Sequence, residues 1–185
     1  MSGARRQIFT VFAGFLMVEK FGYDAATITL LFLLNHAINM VLAPKIGKLI
    51  AKWGERRALT FEYAGLFIVF MSYAFVENDK IAGGLYVIDH LFFAMAIAIK
   101  TYFQKIADPA DISSTAGVSF TINHIAAVFI PAAFGLIWLL SPSAVFLAGA
   151  AMAAVSLVLA LNVPNDPEPG NEVVRGYKSA QLHPA

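Results

Sequence analysis

Two Asn-His pairs, Asn35-His36 and Asn123-His124, sit in the middle of apolar stretches of a chain with only four histidines. Histidine titrates near physiological pH, so in apolar surroundings it can carry a proton or bind a substrate. Two that face each other at one depth can instead hold a haem as axial ligands, and the plainest reading is a pair of buried histidines bonded to neighbouring helices. Asp89, His90 and Lys100 form a second group in another apolar stretch. On one α-helix Asp89 and Lys100 return to within roughly 20° of the same face, three turns apart; otherwise Lys100 reaches the interface and Asp89 caps a neighbour. Asn35 and Asn39, at i and i+4, share a face suited to substrate or water, or equally to an interhelical hydrogen bond. Arg5 and Arg6 are either positive anchors at a helix end or cations within the membrane that favour an anionic substrate.

Groups of this kind cost about 2.5 to 3.5 kcal/mol each at a bilayer centre, so they face a bundle interior or a wet cavity and are functional candidates. The chain around them is that of an integral membrane protein. Of 185 residues, 59% are hydrophobic and 14% charged, with a mean hydropathy of +0.70, against about 45 to 50% apolar in a soluble domain. A net charge of +1, with the basic residues in loops, gives no case for nucleic acid. The absence of cysteine excludes disulfides, thiolate metal sites and cysteine nucleophiles. Neither a metal nor a cofactor is called for, and nothing indicates an enzyme.

Hydropathy divides residues 1–164 into six spans. The first has a clean apolar run only from Ile8 to Val18, roughly 16 Å as a helix, so either Ser2 to Tyr23 crosses with charged ends or the chain begins inside a helix. No small-residue cleavage site follows Arg5-Arg6, so no signal peptide is expected. The second span, about 25 to 50, ends in the basic turn of Lys45, Lys48, Lys52, Arg56 and Arg57. The third, about 57 to 76, carries Glu62 one turn past that loop, where it should pair with a loop arginine. The fourth runs from about 81 to 106. The fifth, 112 to 140, starts at the N-cap types Asp111, Ser113 and Ser114 and should kink at Pro131. The sixth, 144 to 163, has no charge and is rich in alanine, which suits a peripheral helix packed against lipid and small-residue neighbours. Residues 165–185, polar and punctuated by proline, read as a disordered cytoplasmic tail.

Shifting the chain by 88 residues superposes Thr27, Phe32, Asn35, His36 and Gly47 on Thr115, Phe120, Asn123, His124 and Gly135. Two repeats of three spans, 1–78 and 79–164, would be inverted relative to each other, as in secondary transporters. Eleven basic residues then fall on one side of the membrane and two, Lys20 and Lys80, on the other. Both termini are therefore expected in the cytoplasm.

The loop Gly47-Lys48-Leu49-Ile50-Ala51-Lys52-Trp53-Gly54-Glu55-Arg56-Arg57 resembles the G-x-x-x-D-R-x-G-R-R signature of the major facilitator superfamily. Gly47, Lys52, Gly54 and Arg56 match in kind, while Ala51 stands at the acidic position and Glu55 at a basic one. The strings FGYD and YFQKIADPADISSTAGVSFTINHIAAVFIP also resemble the C-terminal half of bacterial members. The resemblance covers about Arg5 to Val163 and implies an all-α, polytopic half of a twelve-helix transporter, in an inner membrane. The first, second, fourth and fifth spans would line the cavity and the third and sixth would lie outside it. Without the acid at Ala51, a latch made by that loop should be weak. The expected function is alternating-access transport of a small solute, with proton coupling and an anionic substrate as options. The cavity or proton path would comprise Asn35, His36, Asn39, Asp89, His90, Asn123 and His124, with Lys100, Arg5 and Arg6 around it. A second six-helix half or a homodimer would complete the cavity. The alternatives are a truncated or non-transporting assembly partner and, more remotely, a haem-binding membrane protein.

Overall fold

The computed structural model describes residues 2–175, with side chains from Arg5 onward; the expected tail beyond Arg175, including Lys178, lies outside the described residues. Helix α1 is assembled from Ser2–Gln7, a π-helical stretch Ile8–Ala13, and Gly14–Phe21. The others are α2 (Ala25–Trp53), α3 (Glu55–Phe75), α4 (Asp79–Ala94, resuming as Ile97–Ile106), α5 (Pro109–Leu140) and α6 (Pro142–Ala160). Five of these, α2 to α6, are long and apolar enough to cross a membrane.

Local chemistry sets the boundaries. Gly22, at φ 68°, ends α1 in the left-handed region that glycine enters without a Cβ penalty. Asp24, Asn78, Asp108 and Ser141 each accept a hydrogen bond from a backbone N–H of the turn they open. Helix α5 consequently begins at Pro109 rather than near residue 112: Asp108 is the cap, and proline suits the first helical position, where its missing N–H costs nothing. Pro44 and Pro131 lie inside helices that continue past them.

Packing is uneven. The most closely packed pair is α3 with α6, where Gly149, Ala150, Ala153 and Ala160 make a flat stripe that Phe70 and its neighbours approach closely. The charge-free, alanine-rich last helix was expected at the periphery against lipid and small-residue neighbours; one face of it is buried on α3, where its small side chains let the large side chains of α3 approach. Its other face, with Val158 and Leu159, is exposed. Helices α2 and α5 are the opposite case. Only 6% of the apolar window of each is buried.

Polar contacts group at the two ends of the bundle. At one end Lys20 pairs with Glu77 at 2.9 Å, and Trp138 Nε1 donates to Glu19 at 2.7 Å. At the other, Lys105 pairs with buried Glu55 at 2.8 Å. There the chain after α6 also folds back: Tyr102 donates to the Glu172 carbonyl, and the Asn162 side chain bonds both backbone groups of Arg175. Residues 165–175, the described part of the tail expected to be disordered, are tethered through Asn162, Asn171 and the Tyr102 hydroxyl, which bond backbone groups of that segment.

Candidate functional site

Successive residues on a helix point about 100° apart, and Arg5 and Arg6 divide accordingly. Arg5 turns into the bundle and is 1% exposed, whereas Arg6 is exposed on the open side. Beside Arg5 lie Glu62 of α3 and Asp89 of α4, at 1% and 0% exposure, both within electrostatic range of its guanidinium. Glu62 therefore does not pair with a loop arginine as expected. It lies seven residues into α3, on the inward face with Leu59, Tyr63 and Leu66. Nε and Nη1 of Arg5, Oε2 of Glu62 and both carboxylate oxygens of Asp89 are buried without a hydrogen-bond partner. The three side chains form a polar core between α1, α3 and α4, which sequence reading missed. The available signal was Glu62 itself, an acid inside an apolar span.

Asp89 and Lys100 do not share a face. At Met95 and Ala96 the α4 helix tightens into i→i+3 bonds, Met95 N to Phe92 O at 2.9 Å and Ala98 N to Met95 O at 2.9 Å. That geometry turns faster than an α-helix, so the phase set by Asp89 is lost, and Lys100 is exposed.

A second group gathers on the open side. His90 is half-buried, with Nδ1 3.2 Å from the Tyr86 carbonyl and its ring edge-on to Phe9. It interacts electrostatically with His36 and with Arg6. Asn35 is buried and reaches the Tyr86 carbonyl at 3.5 Å, a weak contact; Oδ1 of Asn35 and of half-buried Asn39 have no partner. Helices α1, α2 and α4 thereby bring Arg6, His36 and His90 toward one region.

The Asn-His pairs repeat in detail. His36 Nδ1 lies 2.9 Å from the Phe32 carbonyl with ring centroids 4.1 Å apart; His124 Nδ1 lies 2.9 Å from the Phe120 carbonyl with centroids 3.9 Å apart. A carbonyl only accepts, so Nδ1 carries the proton and Nε2 is left to accept a hydrogen bond or a proton. Both histidines, and Asn123, are exposed. They are not the buried, neighbour-bonded pair of the plainest reading: each bonds only to its own helix. Their helices also pack on different neighbours, α2 on α4 and α5 on α1 and α6, which gives no support to paired haem ligation. No cluster of metal-ligating side chains occurs among the described residues.

The expected basic turn is only Gly54, at φ 82°: half-buried Gly47 and exposed Lys52 lie on α2, which continues to Trp53, and exposed Arg57 lies on α3. Glu55, at the position where the signature has a basic residue, turns inward to Lys105. No curated protein and no solved structure matches the chain. The family description that does match is the Major Facilitator Superfamily, over residues 1–131. That span takes in α1 to α4, the basic turn and both Asn-His pairs, more than half of the chain. The chain belongs to the major facilitator superfamily, whose work is transport across membranes.

Proposed function

We propose that this chain is one six-helix half of a secondary transporter, with α1 as its first span, that moves a small anionic solute by alternating access. The observation that carries the reading is the state of α2 and α5. These two helices are the least covered by the rest of the chain, yet they place His36, Asn39, Asn123 and His124 outside the packed core. Polar groups facing hydrocarbon cost on the order of several kcal/mol together. A second polar wall, from a separately encoded half or another copy of this chain, removes that cost and closes a cavity. Arg6 supplies donors and positive charge for an anion in that cavity, and His36 and His90 add a donating Nε2–H and a charge when protonated.

The test is uptake of a panel of radiolabelled organic and inorganic anions into proteoliposomes, with and without a pH gradient. Cysteines placed at Asn39 and His124, in a protein with none of its own, are expected to crosslink to the partner in membranes and to label from water. Transport by a strict monomer, or labelling from lipid only, would overturn the half-transporter reading. Stable assembly without uptake would favour a non-transporting partner.

A further inference from the structure

The first turn of α3 carries Arg56 and Arg57, with two carboxylates, Glu55 and Glu62, close in sequence that could neutralise them. Neither does. Glu55 is 3% exposed and bound to Lys105, while Glu62 is turned into the core beside Arg5. The guanidinium groups of Arg56 and Arg57 have no hydrogen bond or ion pair among the described residues. They stand at the mouth of a groove of about 580 Å³ between α3 and the end of α6.

Apart from Thr60 and Asn165, the rest of the groove lining is apolar. Trp53 and Phe61 form one wall, edge to face with centroids 6.0 Å apart, and Ala64 and Leu161 line the depth. Below it the outer face of α3 stays apolar and exposed at Ile68 and Phe75, toward the opposite end of the bundle. Two unpaired cations therefore sit above an apolar track at the end of membrane-length helices. A tryptophan lies beside them, the residue enriched at the headgroup level.

We propose that this groove is a binding site for an anionic phospholipid of the surrounding bilayer. The phosphate and glycerol region sit against Arg56 and Arg57, and the first acyl segment lies along Phe61, Ala64 and Leu161. A free phosphate would use the arginines but leave the apolar walls wet, whereas a lipid satisfies both. Each basic side chain near a membrane surface favours an anionic lipid by roughly fivefold. The site lies outside the proposed solute cavity and does not depend on transport activity.

Trp53 is its own reporter, since the only other tryptophan is Trp138, near the opposite end beside Glu19. The full chain with Trp138→Phe, in phosphatidylcholine nanodiscs, is titrated with phosphatidylglycerol or phosphatidylcholine brominated near the headgroup. Brominated phosphatidylglycerol is expected to quench Trp53 with an apparent association at least threefold stronger than brominated phosphatidylcholine. Arg56→Gln with Arg57→Gln brings that ratio to about one, while Lys45→Gln with Lys48→Gln, an equal loss of positive charge from the neighbouring end of α2, leaves it unchanged. If Trp138→Phe fails to fold, the difference between wild type and Trp53→Phe gives the same signal. Equal quenching by both lipids, an equal loss in the lysine pair, or reversal by millimolar inorganic phosphate would each overturn the proposal.

Discussion

Arg5 lies over the ring of Tyr63, with its guanidinium carbon 4.4 Å from the centroid. The contact belongs to a polar core of one guanidinium and two carboxyl groups that joins α1, α3 and α4. Removing one member of a buried charge group strands the others, which is costlier than removing the group together. Arg5→Met is expected to destabilise the protein by about 3 kcal/mol, and addition of Glu62→Gln should restore at least half of that. Thermal unfolding of the four proteins of the cycle in detergent measures the coupling. Additive losses would show that Arg5 and Glu62 do not interact.

Gly65 of α3 lies directly beneath the ring of Phe92 of α4; a Cβ there would come within 2.2 Å of the ring. Gly65→Ala should cost about 1 to 3 kcal/mol through overpacking, and Phe92→Leu in the same chain should relieve it. Gly84, with open space around it, should accept alanine without loss. Unfolding midpoints that fall equally for Gly65→Ala and Gly84→Ala would contradict the close α3–α4 contact.

The two faces of α6 should respond oppositely to enlargement. Ala153 is 0% and Val158 68% exposed, so Ala153→Leu should lower the unfolding midpoint by several degrees and Val158→Leu should leave it unchanged. Equal tolerance at both positions would mean that α6 does not pack on α3 as described.

Asp24 caps α2 through the Thr27 N–H at 2.8 Å, and that bond with Thr27 holds its carboxyl below the ordinary value of 3.8. A carboxyl with a depressed folded pKa stabilises above its unfolded value, and the contribution disappears as pH falls through the folded one. Asp24→Asn keeps a capping oxygen but does not titrate. The variant should match the wild type near pH 6 and lose less stability below pH 3.8. Parallel acid-unfolding curves would argue against the cap.

His124→Ala and Asp89→Asn should abolish or uncouple uptake in the reconstituted assembly, the first by removing an exposed acceptor and the second by removing an ionisable carboxyl from the polar core. Circular dichroism and gel filtration check that both variants fold. Wild-type uptake by both would remove these residues from the solute or proton path.

Much of the helical layout was legible in residue order, because backbone satisfaction in lipid demands long apolar helices and each terminus needs a local cap. The runs that became α2 to α6 follow from chemistry between near neighbours, although the cap that opens α5 is Asp108 rather than Asp111, Ser113 or Ser114. The Asn-His pairs were visible for the same reason, since polar residues stand out in apolar runs. Only the tertiary structure decided which of these groups meet. A side chain's partner depends on helix rotation and on which helices adjoin, and both follow from packing between distant segments. That is why Glu62 faces Arg5 instead of Arg56 or Arg57, why the tightened turn at Met95 separates Asp89 from Lys100, and why the small residues of α6 are buried. Sequence by itself determined a chain of membrane-length helices with polar groups at mid-span; packing divided those groups between a sealed core around Arg5 and an open face carrying Arg6, His36 and His90.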